Sequence, residues 1–166
     1  VATVVTKLFM IAGPDRAYFG QKYYQQQLLI RVMARELDLP IEVVTCPTLR
    51  DPDGLAMSSR NTYLSAAERQ QGLCLSHALN RVAEMLDAGE REINQLQSTL
   101  RGPMSTVPGV VVDSAVIVNA GTRSDLPTVA PAMVAQVAAR CGPPRLLADW
   151  TLRLARSCAP GASSLS

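Results

Sequence analysis

Histidine is nearly absent from this sequence, aromatic residues are few, and long apolar runs are missing. His77 is the single histidine in 166 residues, and Cys46, Cys74, Cys141 and Cys158 are widely spaced with no Cys-x-x-Cys pair. Zinc modules need several such ligands at close spacing, so no metal ligands are expected. Only 4% of residues are aromatic, so a core must be built from Leu, Val, Ala and Met. No stretch approaches the roughly 20 apolar residues of a bilayer span. Thr3, Thr6 and Lys7 interrupt the first apolar segment, which has neither a basic leader nor a cleavage pattern, so a signal peptide is not expected. Sixteen basic against fourteen acidic residues leave a formal charge of +2. That is too slight to point to nucleic acid or an anionic membrane as a partner. Cys46, Cys74 and Cys141 sit among apolar neighbours, where cysteine behaves as a small buried hydrophobe. The expectation is a reduced, cytoplasmic protein, and Val1 in place of an initiating Met points to a fragment or processed product.

What is there reads as α/β. Val4, Val5, Leu8, Phe9 and Ile11 fit a helical face that stops at Gly13-Pro14. Arg16 to Phe19 is a short buried-strand candidate ending at Gly20, and a helix is predicted from about Tyr23 to Leu37 with Leu29, Val32, Met33 and Leu37 on one apolar face. Ile41 to Cys46 alternates as a strand does, so residues 1–48 read as a piece of a parallel sheet. Pro47 to Asn61 reads as a loop. Ser65-Ala-Ala-Glu68 is a capping box opening a helix with Leu75, Leu79, Val82 and Leu86 on one face and Gly89 at its end. A more polar helix is predicted over about Glu90 to Leu100. Strands follow at Val110 to Val118, Val134 to Cys141 and Arg145 to Leu154, with a Gly142-Pro143-Pro144 turn between antiparallel neighbours. Residues 49–155 therefore read as an α+β unit and 156–166 as a frayed tail.

Two segments carry chemistry. In Tyr18-Phe-Gly-Gln-Lys-Tyr-Tyr-Gln-Gln26 a strand ends in Gly20 and a helix begins, which is where open α/β sheets bind ligands. A helix start favours anions, and Lys22 is a mobile point charge suited to phosphate. The plainer reading, an ordinary strand-to-helix turn with solvated Lys and Gln, is favoured by composition because no glycine fingerprint is present. Asp51-Pro-Asp-Gly-Leu-Ala-Met-Ser-Ser-Arg-Asn61 offers turn amides, hydroxyls and the Arg60 fork, which matches phosphate, or is simply a loop. Lys22 and Arg60 both follow strand ends, so convergence on one polyphosphate is the informative outcome.

These residues resemble the pantoate–β-alanine ligase family. Tyr18 to Lys22, Gln25-Gln26 and Asp53 to Asn61 carry the likeness, with Val4 to Phe9, Pro14-Asp15, Tyr63-Leu-Ser65, Ala138 to Gly142 and Arg145 to Leu147. The Met57 to Asn61 stretch resembles the second signature of adenylate-forming nucleotidyltransferases. The resemblance implies the C-terminal part of a Rossmann-like nucleotidyltransferase sheet, followed by a small α+β domain with antiparallel strands. It implies a reaction in which ATP, with Mg2+, and pantoate form pantoyl-adenylate and pyrophosphate before the β-alanine amine displaces AMP. By the same resemblance Lys22, Ser58, Ser59 and Arg60 would hold phosphates, and Gln26 would hydrogen-bond pantoate with Val4 and Val5 on its apolar side. Gly20 and Leu49 would lie at ribose and adenine, and Met57 would contribute backbone contacts. A homodimer is left open.

Departures from the family pattern matter as well. Its first signature, His-x-Gly-His, is absent, and His77 falls mid-helix, so the N-terminal part of the family's sheet is expected to lie outside this chain. An acidic residue that binds the ribose hydroxyls in the family is Tyr23 here, and Met10 and Asp149-Trp150 replace Asn and Asp-Asn. Cys46-Pro47 and Ala138 to Gly142 resemble cyanobacterial forms that carry a cytidylate kinase downstream, though no kinase phosphate loop is present. A truncated chain inactive alone, a non-catalytic nucleotide-binding remnant and an interaction fragment are the alternatives these departures raise.

Overall fold

Two small sheets, one parallel and one antiparallel, hold a single helix between them. The computed structural model describes residues 1–142 and 145–153. Helix α1 (Ala2–Ala12) ends at Gly13, whose left-handed conformation (φ 54) turns its N–H onto the Phe9 carbonyl at 2.8 Å. Strand β1 (Arg16–Gly20) pairs in parallel with β2 (Glu42–Cys46), register Arg16 to Glu42 through Gly20 to Cys46. Between them a 3-10 turn (Gln21–Tyr23) leads into helix α2 (Tyr24–Glu36). The unit is the expected β-α-β piece of a parallel sheet.

Its burial differs from the simple amphipathic pattern. Leu29 and Leu37, expected inside, are exposed, while Tyr24, Gln27, Leu28, Ile30, Met33 and Ala34 are buried. The reason is that α2 is packed on two sides. Ile30 and Met33 meet Phe9 of α1 and Ala17, Phe19 and Val43 of the parallel sheet, whereas Tyr24 and Leu28 meet Val118, Ala120 and Val134 of the antiparallel sheet. A two-sided helix buries a wider arc than a one-stripe reading assigns. In α1, only Phe9 is buried and Val5 half-buried. Val4, Leu8, Met10 and Ile11 are 57–83% exposed. Strand β1 is not buried as expected: Tyr18, on the opposite face from Ala17 and Phe19, is 64% exposed, because nothing among the described residues covers that face of the parallel sheet.

Helix α3 (Ala66–Asp87) opens with the predicted capping box: Glu68 N–H donates to Ser65 Oγ at 3.2 Å and Ser65 N–H donates to the Glu68 carboxylate at 2.8 Å. Leu75, Leu79, Val82 and Leu86 form its buried face. Helix α4 (Ile93–Ser105) starts later and ends later than expected. Glu90 caps the Arg91 and Glu92 amides, which holds residues 90–92 in a turn. The Leu96, Leu100, Met104 stripe continues one turn past Leu100 and through Pro103, each of its three side chains fully buried. Both helices cover one face of the sheet β3 (Val110–Asn119), β4 (Ala132–Cys141) and β5 (Arg145–Arg153), order β3-β4-β5, all antiparallel. A bulge interrupts β3 between Val112 and Ser114.

The β4–β5 turn begins at Gly142 (φ 64), where an added Cβ would overlap the Glu68 carboxylate. Pro143, Pro144, the predicted tail 156–166 and Cys158 lie outside the described residues. Cys74 and Cys141 are buried free thiols, whereas Cys46, at the open end of β2, is only half-buried because little packs over that strand end. Burial pushes the Cys74 thiol up to about 11. Among the described residues no helix is long and apolar enough to cross a membrane.

The burial pattern predicts contrasting costs for leucines. Leu79→Ala, in the α3–α4–sheet core, should destabilise the chain by about 2–5 kcal/mol in urea unfolding. Leu8→Ala, 57% exposed on α1, should change it by less than about 0.5 kcal/mol. Equal losses would mean that the outer face of α1 is covered in solution.

Candidate active site

Gly20 and Cys46 are register partners at the C-terminal end of the parallel sheet, so the turn after β1 and the loop after β2 leave the sheet side by side. Lys22 lies in the first. Its ammonium reaches the second, donating to the carbonyls of Met57 (2.8 Å) and Ala56 (3.3 Å). The loop is folded back on itself: Arg50 bridges Ala56, Met57 N–H donates to the Leu49 carbonyl, and Asp51 N–H donates to the Leu55 carbonyl. Gly54 makes the tip with φ 93, and the Arg50 guanidinium donates to its carbonyl at 3.1 Å.

Arg69, on the first turn of α3, clamps this loop from outside. It donates through Nη2 to Asp51 (2.8 Å) and through Nε to Asp53 (2.7 Å). The Asp53 carboxylate also accepts the Leu55 amide, and the Arg69 hydrogen bond followed by that amide holds its pKa below the ordinary carboxylate value. A second 3-10 turn (Ser59–Tyr63) then begins, capped by Ser58 Oγ on the Arg60 amide. Below it, Gly72 of α3 lies so close to Leu146 and Leu55 that a Cβ would come within 2.7 Å of the Leu146 side chain. Glycine there lets helix, loop and β5 close together into a floor.

Lys22, Tyr23, Arg50, Ser58, Arg60 and Asn61 line the resulting narrow cleft above Leu55, Leu75 and Leu146, with no carboxylate among the described lining residues. Three cations share it. Burial first, then the charges of Arg50 and Arg60, lower the Lys22 pKa, with Asp51 opposing. Burial likewise lowers that of Arg50. Cations crowded and partly desolvated in one cleft are arranged to receive an anion.

The sequence model described as pantoate-beta-alanine ligase matches residues 1–151. The chain belongs to that family. A pantothenate synthetase of Acidobacterium capsulatum is 50% identical over 147 residues, 89% of this chain and 49% of that protein. One from Roseiflexus sp. is 45% identical over 152 residues, 92% of this chain and 55% of that protein. The chain thus spans about half the length of the curated relatives it matches. A crystal structure of Thermus thermophilus pantothenate synthetase superposes with TM-score 0.85 at 38% identity, covering 90% of this chain and 54% of that one. A Francisella tularensis pantoate-beta-alanine ligase, solved in complex with beta-gamma ATP and beta-alanine, matches with TM-score 0.56 at 25% identity, covering 90% and 48%.

Against that family background the expected residues fall into groups. Lys22, Tyr23, Ser58 and Arg60 meet in the cleft. Ser59, Leu49, Met57 and Gly20 lie on the same turns but outside its lining, and the first three are largely exposed. Gly20 has ordinary extended backbone and nothing within 4 Å of a hypothetical Cβ, so its packing does not demand glycine. Gln26 is exposed and faces a second, wider groove of about 530 Å3, shared with Lys22, Tyr23, Leu29, Ser114 and Arg123. Val4 and Val5 line neither opening: Val4 is exposed and Val5 packs toward Phe9 and Met33. His77 is exposed on α3. Arg50 and Asn61 were not singled out by sequence reasoning. The available signal was their position at the two ends of the Asp51–Arg60 segment.

Arg69 generates a pH-dependent prediction. A carboxylate whose pKa is depressed on folding stabilises above its unfolded value, and that contribution is lost as pH falls through the lower folded value. The stability advantage of the unchanged chain over Arg69→Gln should be full at neutral pH and narrow below about pH 4. Urea melts at pH 7 and pH 3 test this, and an unchanged difference would show that the clamp does not act through the Asp53 carboxylate.

Proposed function

We propose that this chain carries the nucleotide-phosphate side of an ATP-dependent ligase that joins pantoate to β-alanine through pantoyl-adenylate. The observation that carries the reading is the convergence of Lys22, Arg50 and Arg60 on one cleft at the C-terminal ends of parallel strands. Family membership supplies the reaction. Residues 1–48 would be the distal part of the nucleotide-binding unit and 49–155 the smaller α+β unit.

In this reading Lys22 exchanges the Ala56 and Met57 carbonyls for phosphate oxygens. Arg60 and the hydroxyls of Ser58 and Ser59 take the remaining oxygens, and the freed Met57 carbonyl, with Leu49, meets the adenine. The open space beside Gly20 admits the ribose next to Tyr23. Gln26 orients pantoate from the adjoining groove, and Val4 and Val5 reach its apolar side only with the rest of the family fold in place. The pantoate carboxylate attacks the α-phosphorus and pyrophosphate leaves. The β-alanine amine then attacks the acyl carbon and AMP leaves. No side-chain nucleophile takes part, so the work is alignment and stabilisation of phosphoryl charge. Asp51 is held by Arg69 and, among the described residues, the cleft lining has no carboxylate, so magnesium would arrive with the incoming nucleotide.

The uncovered face of β1 and the apolar outer face of α1 are where the remainder of the family fold would pack, on the basis that the relatives are about twice as long. The chain alone should therefore bind without turning over, since loss of even one donor to a developing oxyanion costs about 3–4 kcal/mol. Calorimetry should show ATP binding more tightly than AMP, with adenosine weakest, and no pantoate-dependent AMP release in a coupled assay. Adenosine binding as tightly as ATP would refute the phosphate assignment.

Tyr23 favours a second reading, a nucleotide-binding remnant, because a phenol replaces the family's ribose-binding carboxylate and is 44% exposed at the cleft mouth. A phenol donates one hydrogen bond where a carboxylate accepts two. If the phosphate frame is intact, Tyr23→Asp should tighten ATP binding about tenfold, the value of one net charge-assisted bond. Adding Lys22→Ala should abolish the gain. Unchanged affinity in a well-folded Tyr23→Asp protein would indicate that the ribose site is not assembled.

A further inference from the structure

We propose that Asn61 is a positioning residue for Lys22, its side-chain oxygen taking an ammonium N–H when Lys22 turns from the loop carbonyls to a phosphate. The inference rests on the phosphate reading of the cleft and adds to it a residue that the family resemblance gives no role. Its starting point is one atom. Asn61 Oδ1 is buried and has no hydrogen-bond partner among the described residues. A buried acceptor without a donor carries a cost, which is recovered if another state of the molecule supplies one.

The geometry names the donor. Asn61 Nδ2 donates to the Ala56 carbonyl at 3.1 Å, and the Lys22 ammonium reaches the same oxygen at 3.3 Å. Two donors on one oxygen are neighbours. The amide atom that faces a carbonyl must be the nitrogen, so the side chain cannot turn over to pair its oxygen there. Ser76 also lines the cleft, but its hydroxyl donates to the Leu73 carbonyl. Asn61 is itself fixed. Its N–H donates to the Ser58 carbonyl (3.0 Å) and its carbonyl accepts the Leu64 N–H (3.2 Å), within the 3-10 turn that carries Arg60.

An ammonium has three N–H groups on a flexible stem. At rest two of them are given to the Ala56 and Met57 carbonyls. When Lys22 leaves these for a phosphate, an N–H on Asn61 Oδ1 keeps the ammonium beside the Arg60 turn. Such an acceptor favours the charged lysine. It works against burial, Arg50 and Arg60, which lower the Lys22 pKa, and with Asp51, which raises it and is gripped by Arg69. Tyr23 is the other titratable side chain among the described residues of the lining.

The test uses the full chain and inorganic pyrophosphate. Asn61→Ala should weaken binding about tenfold at pH 7, the value of one bond to a charged donor. In a Lys22→Met background the same substitution should cost less than about twofold, because the ammonium it serves is gone. The loss should also shrink as pH rises and Lys22 gives up its proton. A brace that only shapes the loop would cost the same in both backgrounds and at every pH, and that result would overturn the proposal. A crystal structure of the unchanged chain with pyrophosphate, which depends on no variant folding, should place Lys22 Nζ about 3 Å from Asn61 Oδ1. An oxygen bonded to another donor, or still unpaired, would overturn the role of Asn61 alone. Failure of the unchanged chain to bind pyrophosphate would overturn the phosphate reading with it.

Discussion

Everything at the site depends on where α2 is held. The helix is wedged between the parallel pair and the antiparallel sheet, and the Tyr24 hydroxyl donates to the Ala120 carbonyl across that junction. On the other side Gln27 donates to Thr45 of β2 at 2.6 Å. Two-sided packing fixes the helix against sliding, and so fixes the 3-10 turn that precedes it and carries Lys22. A lysine on a frayed helix start would be a solvated charge. On this anchored start it is aimed into a loop that belongs, by its packing, to the other sheet's helices.

The second constraint is electrostatic. Arg69 grips Asp51 and Asp53 from the flank, which shapes the loop and leaves Asp51 only partly opposing the two arginines that act on Lys22. These flank pairs are partly solvent-accessible and are worth modest energy as contacts. Their larger effect is on the sign of the potential in the cleft. Backbone carbonyls of Ala56 and Met57 are a weak substitute for an anion, so the lysine rests in a position it can leave.

Much of this was legible in the residues. The Ser65–Glu68 capping box and the Leu75 to Leu86 spacing are local signals, and local structure obeys them. The strand positions followed from β-branched alternation bounded by Pro and Gly. The Lys22 and Arg60 meeting was legible through the rule that parallel strands present ligands at their C-terminal ends. What was not legible depends on packing between distant segments. Leu29 and Leu37 match a one-stripe helix, yet Tyr24 and Leu28 take the inner positions because a second sheet lies against α2. Val4, Leu8 and Ile11 read as a core face, yet nothing in the described residues covers them. Arg50 looks like any loop arginine until the Ala56 bridge is seen.

Gly142 bears on the order in which these parts are made. Its bare backbone lies against Glu68, the carboxylate that caps α3, and Arg69 is the next residue along. The cap itself closes over four neighbouring positions. Its seating against the β4–β5 turn joins segments far apart in sequence, and such closures come late. Any side chain at position 142 would have to displace the carboxylate that caps α3, one residue before the arginine that grips the Asp51–Asp53 loop.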